Sequence, residues 1–117
     1  MPRPYWHIYR TDIEFSETCL VSVDINTSEA DSSVYTFELS KPQAEVLLSL
    51  VHLLKLSHPD QVYALYRLLF RGGVDWSRRP LMCLSDLREW LQLRDDLVTR
   101  LRKHGIPVVV DNGTLRI

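Results

Sequence analysis

Residues 84–117, LSDLREWLQLRDDLVTRLRKHGIPVVVDNGTLRI, decide the fold. Ser85 carries a side chain suited to an N-cap, which predicts a short helix over Asp86–Leu91. Asp86 and Glu89 near its start complement the helix dipole, and Leu84, Leu87, Trp90 and Leu91 form its expected buried side. Leu91-Gln92-Leu93 is expected as a tight turn. A second helix is then expected from Asp95-Asp96 to His104, with Leu97, Val98 and Leu101 facing inward at helical spacing. Arg102, Lys103 and His104 suit its last turn, and Gly105 supplies the left-handed residue that closes it. Ile106–Val110 is expected as a strand, with Pro107 near its start, where a missing donor is tolerated. Asp111-Asn112-Gly113 then marks a hairpin, because Asn-Gly takes positive φ at low cost. Thr114–Ile117 returns as the closing strand.

Upstream of this unit the period changes from helical to alternating. YWHIYR (5–10) mixes aromatic and β-branched residues, as a strand does. In CLVSVDI (19–25), Cys19, Val21, Val23 and Ile25 share one face. In VYTFEL (34–39), Tyr35, Phe37 and Leu39 do the same. The polar stretches 11–18 and 26–33 read as loops, so residues 1–39 are expected to form a three-stranded antiparallel meander. Ser40 reads as an N-cap with Pro42 just inside the helix. Residues 42–56 form the most apolar helix, expected to be covered on most sides. A break at Ser57-His58-Pro59 leads into a second amphipathic helix, 59–70, whose face is Val62, Leu65, Tyr66 and Leu69. Arg71-Gly72-Gly73 ends it. Val74–Met82 has no periodicity and reads as a connecting loop, with Trp76 turned onto the core and Arg78-Arg79 exposed. Trp90 reads as core, and Trp6 and Trp76 as possible surface anchors.

The chain has 117 residues and a net charge of −1, the size of one domain. The charge is uneven: residues 1–76 sum to −4 and residues 77–117 to +3. Such asymmetry can mark an end that faces nucleic acid. Cys19 and Cys83 lie in apolar contexts and are expected as buried thiols. MPRPYWHIYR contains no apolar run of secretory length, and Val46–Leu56 is too short and interrupted to cross a bilayer. No membrane association and a cytoplasmic location are therefore expected.

The terminal run EWLQLRDDLVTRLRKHGIPVVVDNGTLRI resembles the winged-helix domains of the MerR/excisionase class. The matching parts are the turn Leu91-Gln92-Leu93, the recognition helix Asp95–His104 and the wing Pro107–Ile117. More loosely, FELSKPQAEVLLSLV and RLRKHGIPVVVDNGTLRI resemble the winged-helix effector domains of response regulators, in which a small antiparallel sheet precedes the helices. The resemblance implies that the recognition helix enters the major groove. It makes Arg94, Thr99, Arg100, Arg102, Lys103, Asn112 and Arg116 the candidate DNA-binding residues. Gln92 stands where the turn glycine is usual, Arg94 where a capping Ser or Thr is usual, and Asp95 and Asp96 would meet a negatively charged groove.

The expectation is thus an α+β domain over residues 1–117: a three-stranded antiparallel meander (1–39), two core helices (42–71) and a C-terminal winged helix-turn-helix (84–117). Two functions stay open. One is a small DNA-binding regulator or recombination accessory factor, plausibly a homodimer. The other is a non-enzymatic adaptor or complex subunit that docks protein partners through the winged helix and the acidic N-terminal half. Catalysis is not expected. His7, His52, His58 and His104 are scattered, no metal-ligand spacing occurs, and Arg71-Gly72-Gly73 lacks the Gly-Lys-Ser/Thr of a phosphate loop. No cofactor is expected.

Overall fold

A computed structural model describes residues 5–26, 31–78 and 87–117. The architecture is α+β and falls into two compact units, Met1–Leu50 and Val51–Ile117.

In the first unit, β1 (Tyr5–Asp12), β2 (Thr18–Asn26) and β3 (Asp31–Ser40) form an antiparallel sheet in the order β1-β2-β3. This is the expected meander, with each strand a few residues longer than its apolar core. Cys19, Val21, Val23 and Ile25 are buried, as are Tyr35, Phe37 and Leu39. Cross-strand partners such as Val21 and Phe37 therefore share one covered face. The register shifts between Val23 and Asp24, a bulge of the kind that sharpens strand twist. Cys19 is a free thiol that donates to Leu39 O at 3.6 Å; Cys83 lies outside the described residues.

Helix α1 (Lys41–Leu54) starts at a reciprocal capping box. Gln43 N donates to Ser40 Oγ at 3.3 Å, and Ser40 N donates to Gln43 Oε1 at 3.2 Å. Two otherwise unpaired N–H groups are satisfied together. The helix buries one stripe, Ala44, Leu47, Val51 and Leu54, while Val46 and Leu53 are exposed. It is amphipathic, and the expectation of cover on most sides is corrected: beside the buried stripe, Leu48 and Leu50 are half-buried and Val46 and Leu53 face solvent. It ends with Lys55 in the left-handed region (φ 53°), where Leu56 N donates to Val51 O and Lys55 N to His52 O.

The most enclosed helix is α2 (Pro59–Phe70), where even Asp60 and Gln61 are fully buried. His58 Nδ1 caps it by accepting from Asp60 N at 3.1 Å. After α2, Gly72 takes φ +83° and Gly73 φ +141°. A Cβ at Gly73 would lie 2.5 Å from Leu115 O, so only glycine fits there.

Val74–Asp75 is a short strand, β4, rather than loop. It pairs with β6 (Thr114–Arg116), which pairs in turn with β5 (Val109–Asp111), giving the order β4-β6-β5. The Asn112-Gly113 turn has φ 49° and 83°, the positive-φ pair expected of a tight hairpin. β4 escapes the sequence because two residues are too few for any alternation to show.

The largest correction concerns residues 87–104. Leu87–Lys103 is one continuous helix, α3. The expected turn at Leu91-Gln92-Leu93 does not exist, so the helix-turn-helix placed there does not form. The physical reason lies in those residues. A turn needs a left-handed residue, and Gln92 pays a steric penalty there. Leu, Gln and Arg are all strong helix formers. The buried row Trp90, Leu93, Leu97, Val98 and Leu101 also runs through the supposed turn without a break. Leu87 and Leu91, expected to be buried, are exposed. Leu84, Ser85 and Asp86, with the expected cap, lie outside the described residues, as do Arg79–Met82. The far end behaves as expected: Gly105 takes φ +82°, with Ile106 N donating to Leu101 O and Gly105 N to Arg102 O.

Candidate nucleic-acid interface

The seven candidate residues lie on α3 and the β5–β6 hairpin, but most of them bind other parts of their own unit. Arg100 is the clearest case. Its Nε donates to Asp96 Oδ2 at 2.8 Å, and its Nη1 donates to Leu54 O at 2.9 Å and Lys55 O at 3.2 Å. These are carbonyls at the end of α1, which the helix itself leaves without donors. Arg100 is therefore a cap for another helix.

Arg102 Nη2 and Nε both donate to Val108 O, at 2.9 and 3.3 Å, fixing the backbone where the chain enters β5. Arg94 Nε pairs with Asp95 Oδ1 at 3.1 Å. Arg116 Nη2 pairs with Asp111 Oδ2 across the hairpin at 3.2 Å. Thr99 Oγ1 donates back to Asp95 O at 2.9 Å, the common closure of a mid-helix threonine. Asn112 serves the turn through its positive φ. The Lys103 side chain is exposed, and among the described residues it has no ion pair.

Asp95 and Asp96 do not begin a helix; they lie in the middle of α3. Asp96 belongs to a polar cluster centred on Gln61, which is fully buried. Gln61 Nε2 donates to Asp96 Oδ2 at 2.8 Å and to Leu93 O at 3.2 Å. Its Oε1 accepts from Ser57 N at 2.9 Å. Burial alone would raise the Asp96 carboxyl, but the hydrogen bonds from Arg100 and Gln61 and the Arg100 charge outweigh it, and the group is held below the usual carboxylate range. The cluster joins α2, α3 and the end of α1. Gln61 was readable as unusual, since it is a polar residue beside Val62 and Leu65, but nothing local in the sequence names its partners.

A second buried contact was legible only in part: Trp90, and in one reading Trp76, were expected in the core, but not their pairing with each other. Trp76 and Trp90 stack at 4.0 Å with planes 13° apart. Trp76 Nε1 donates to Trp90 O at 2.9 Å, and Trp90 Nε1 donates to Trp76 O at 2.8 Å. Both indoles are only 1% exposed. Trp76 is thus core, and its use as a surface anchor is ruled out.

Among the described residues of Val51–Ile117, the large apolar side chains that face solvent are Leu53 on α1, Leu87 and Leu91 on α3, Val109 and Val110 on β5, and Ile117 beyond β6. β5 lies at the edge of its sheet. Among the described residues, no three His, Cys, Asp or Glu side chains gather as a metal site, and no helix is long and apolar enough to cross a membrane. No protein-family model, curated protein or solved structure matches the chain.

Proposed function

We propose that this chain is a non-enzymatic adaptor that docks protein partners, and that its C-terminal unit is a winged-helix-like scaffold in which α3 precedes a β5–β6 wing. The helix-then-hairpin order and the strand order β4-β6-β5 support the winged-helix part. One observation carries the functional part: Arg94, Arg100, Arg102 and Arg116 all bind groups within the chain. Phosphate recognition needs side-chain donors that face outward. Those four guanidiniums face carboxylates and backbone carbonyls, and the wing presents Val109 and Val110, which offer no side-chain donor. Exposed apolar side chains at a sheet edge suit a protein surface better.

The wing is tested by selecting peptide ligands from a displayed random library on the full-length chain. The expected ligands lose affinity when Val109 and Val110 are both changed to Asp. A selection that yields no ligand weakened by that double variant contradicts docking at the wing.

A further inference from the structure

The turn between β1 and β2 holds the most exposed large apolar side chain described. Phe15 is 99% exposed. It occupies the third position of the turn Ile13–Ser16, closed by Ser16 N donating to Ile13 O at 3.2 Å, and its φ is +59°. Glycine or asparagine is usual at a turn position with positive φ. An L-residue with a Cβ is disfavoured there by contact between its Cβ and the following carbonyl oxygen, and an exposed ring gains nothing back from burial.

The turn is also well held. Ile13 N donates to Thr18 O at 3.4 Å, Thr18 N to Ser16 Oγ at 3.1 Å, and the Ser16 and Thr18 hydroxyls meet at 2.8 Å. Lys41 N, at the start of α1, donates to Glu17 O at 3.1 Å. Phe15 is therefore displayed on a fixed platform. Its surroundings are acidic. Glu14 and Glu17 flank it and are exposed. By composition, residues 1–50 carry three Lys/Arg and eight Asp/Glu. Arg10 is engaged by Asp12 at 2.6 Å and approaches Glu45 at 3.8 Å.

We infer that Phe15 is a docking anchor that inserts into an apolar pocket on a partner protein, and that the rim of that pocket is basic. The inference rests on the protein-docking reading above and names the chemistry of the partner. Aromatic side chains, Phe among them, are enriched at protein interfaces, where the rim around the buried centre is polar. Glu14 and Glu17 select a Lys- or Arg-lined rim and speed encounter with it. An anionic membrane or a nucleic-acid strand would need basic residues beside the ring, and the turn supplies glutamates.

The test uses the full-length chain and the same displayed peptide library, with Phe15→Ser as the counter-selected variant. The expected ligands combine apolar residues with Lys or Arg. Their affinity falls about tenfold or more on Phe15→Ser, as the loss of a hot spot does, and falls less on Glu14→Gln with Glu17→Gln. Phe15→Gly is expected to melt at the parent temperature or above it, because the left-handed strain is relieved. Ligands that are weakened by the Val109/Val110 double variant but indifferent to Phe15→Ser overturn the anchor and leave the docking reading intact. Recovery of no ligand sensitive to either site overturns both. A marked drop in melting temperature for Phe15→Gly overturns the anchor by showing a folding role. Phe15-dependent binding to phosphatidylcholine–phosphatidylserine vesicles overturns it in favour of a membrane contact.

Discussion

Arg100 and Lys103 lie three residues apart on one helix, and the fold uses them differently. Arg100 closes the end of α1 and binds Asp96, whereas Lys103 stands in solvent. Arg100→Ala should therefore lower the unfolding free energy by about 1–3 kcal/mol, the worth of charge-assisted hydrogen bonds. Lys103→Ala should stay within about 0.5 kcal/mol of the parent. Urea denaturation of the two variants checks both values. Gln61→Leu keeps much of the volume but strands Ser57 N, and should be destabilised by about 1–3 kcal/mol in the same experiment. Asp96 gives a pH signature. Its carboxyl is held below the ordinary value in the folded chain, so its contribution is fully present above about pH 4 and is lost as pH falls through the folded value. Asp96→Asn should be less stable than the parent at neutral pH, and the difference should close as the solution is acidified below about pH 4. A constant difference across that range would contradict the Asp96 account.

Among the elements, those whose signal is local were legible and those made by distant partners were not. The strands were visible because Cys19, Val21, Val23 and Ile25 alternate. The Ser40 cap, the α2 span, the Gly105 closure and the Asn112-Gly113 turn were visible because each depends on residues within a few positions. The supposed turn at Leu91–Leu93 failed because a family-like pattern outweighed the helix propensity of its own residues. β4 and the Trp76–Trp90 contact depend on residues 14 or more positions away, and no period in the chain announces them. The candidate site shared this limit. The sequence shows which side chains are basic, but whether an arginine faces solvent or a carbonyl on another helix is decided only by packing. Gly73 tests the element scale. Its missing Cβ lets the chain pass Leu115 O, so Gly73→Ala should destabilise by about 2 kcal/mol or more, measured by the shift in denaturation midpoint. A neutral result would show that β4 and β6 can separate without loss.

At the scale of the whole molecule, charge and apolar exposure point the same way. The chain is close to neutral and its N-terminal unit is acidic; Arg94, Arg100 and Arg116 pair with carboxylates of their own segment, so residues 77–117 keep their net charge of +3. A chain whose charges nearly cancel gives little long-range attraction to a polyanion. The outward-facing features are instead valines at a sheet edge and a phenylalanine at a hairpin tip, which suit contact with protein. The most direct test of this account is a fluorescence-anisotropy titration of labelled duplex DNA with the full-length chain at about 50 and about 200 mM salt. The account predicts no saturable binding tighter than about 10⁻⁴ M, the weak limit of non-specific association. Saturable binding in the micromolar range or tighter, weakening about tenfold or more between the two salt concentrations and weakening again on Lys103→Ala, would contradict it.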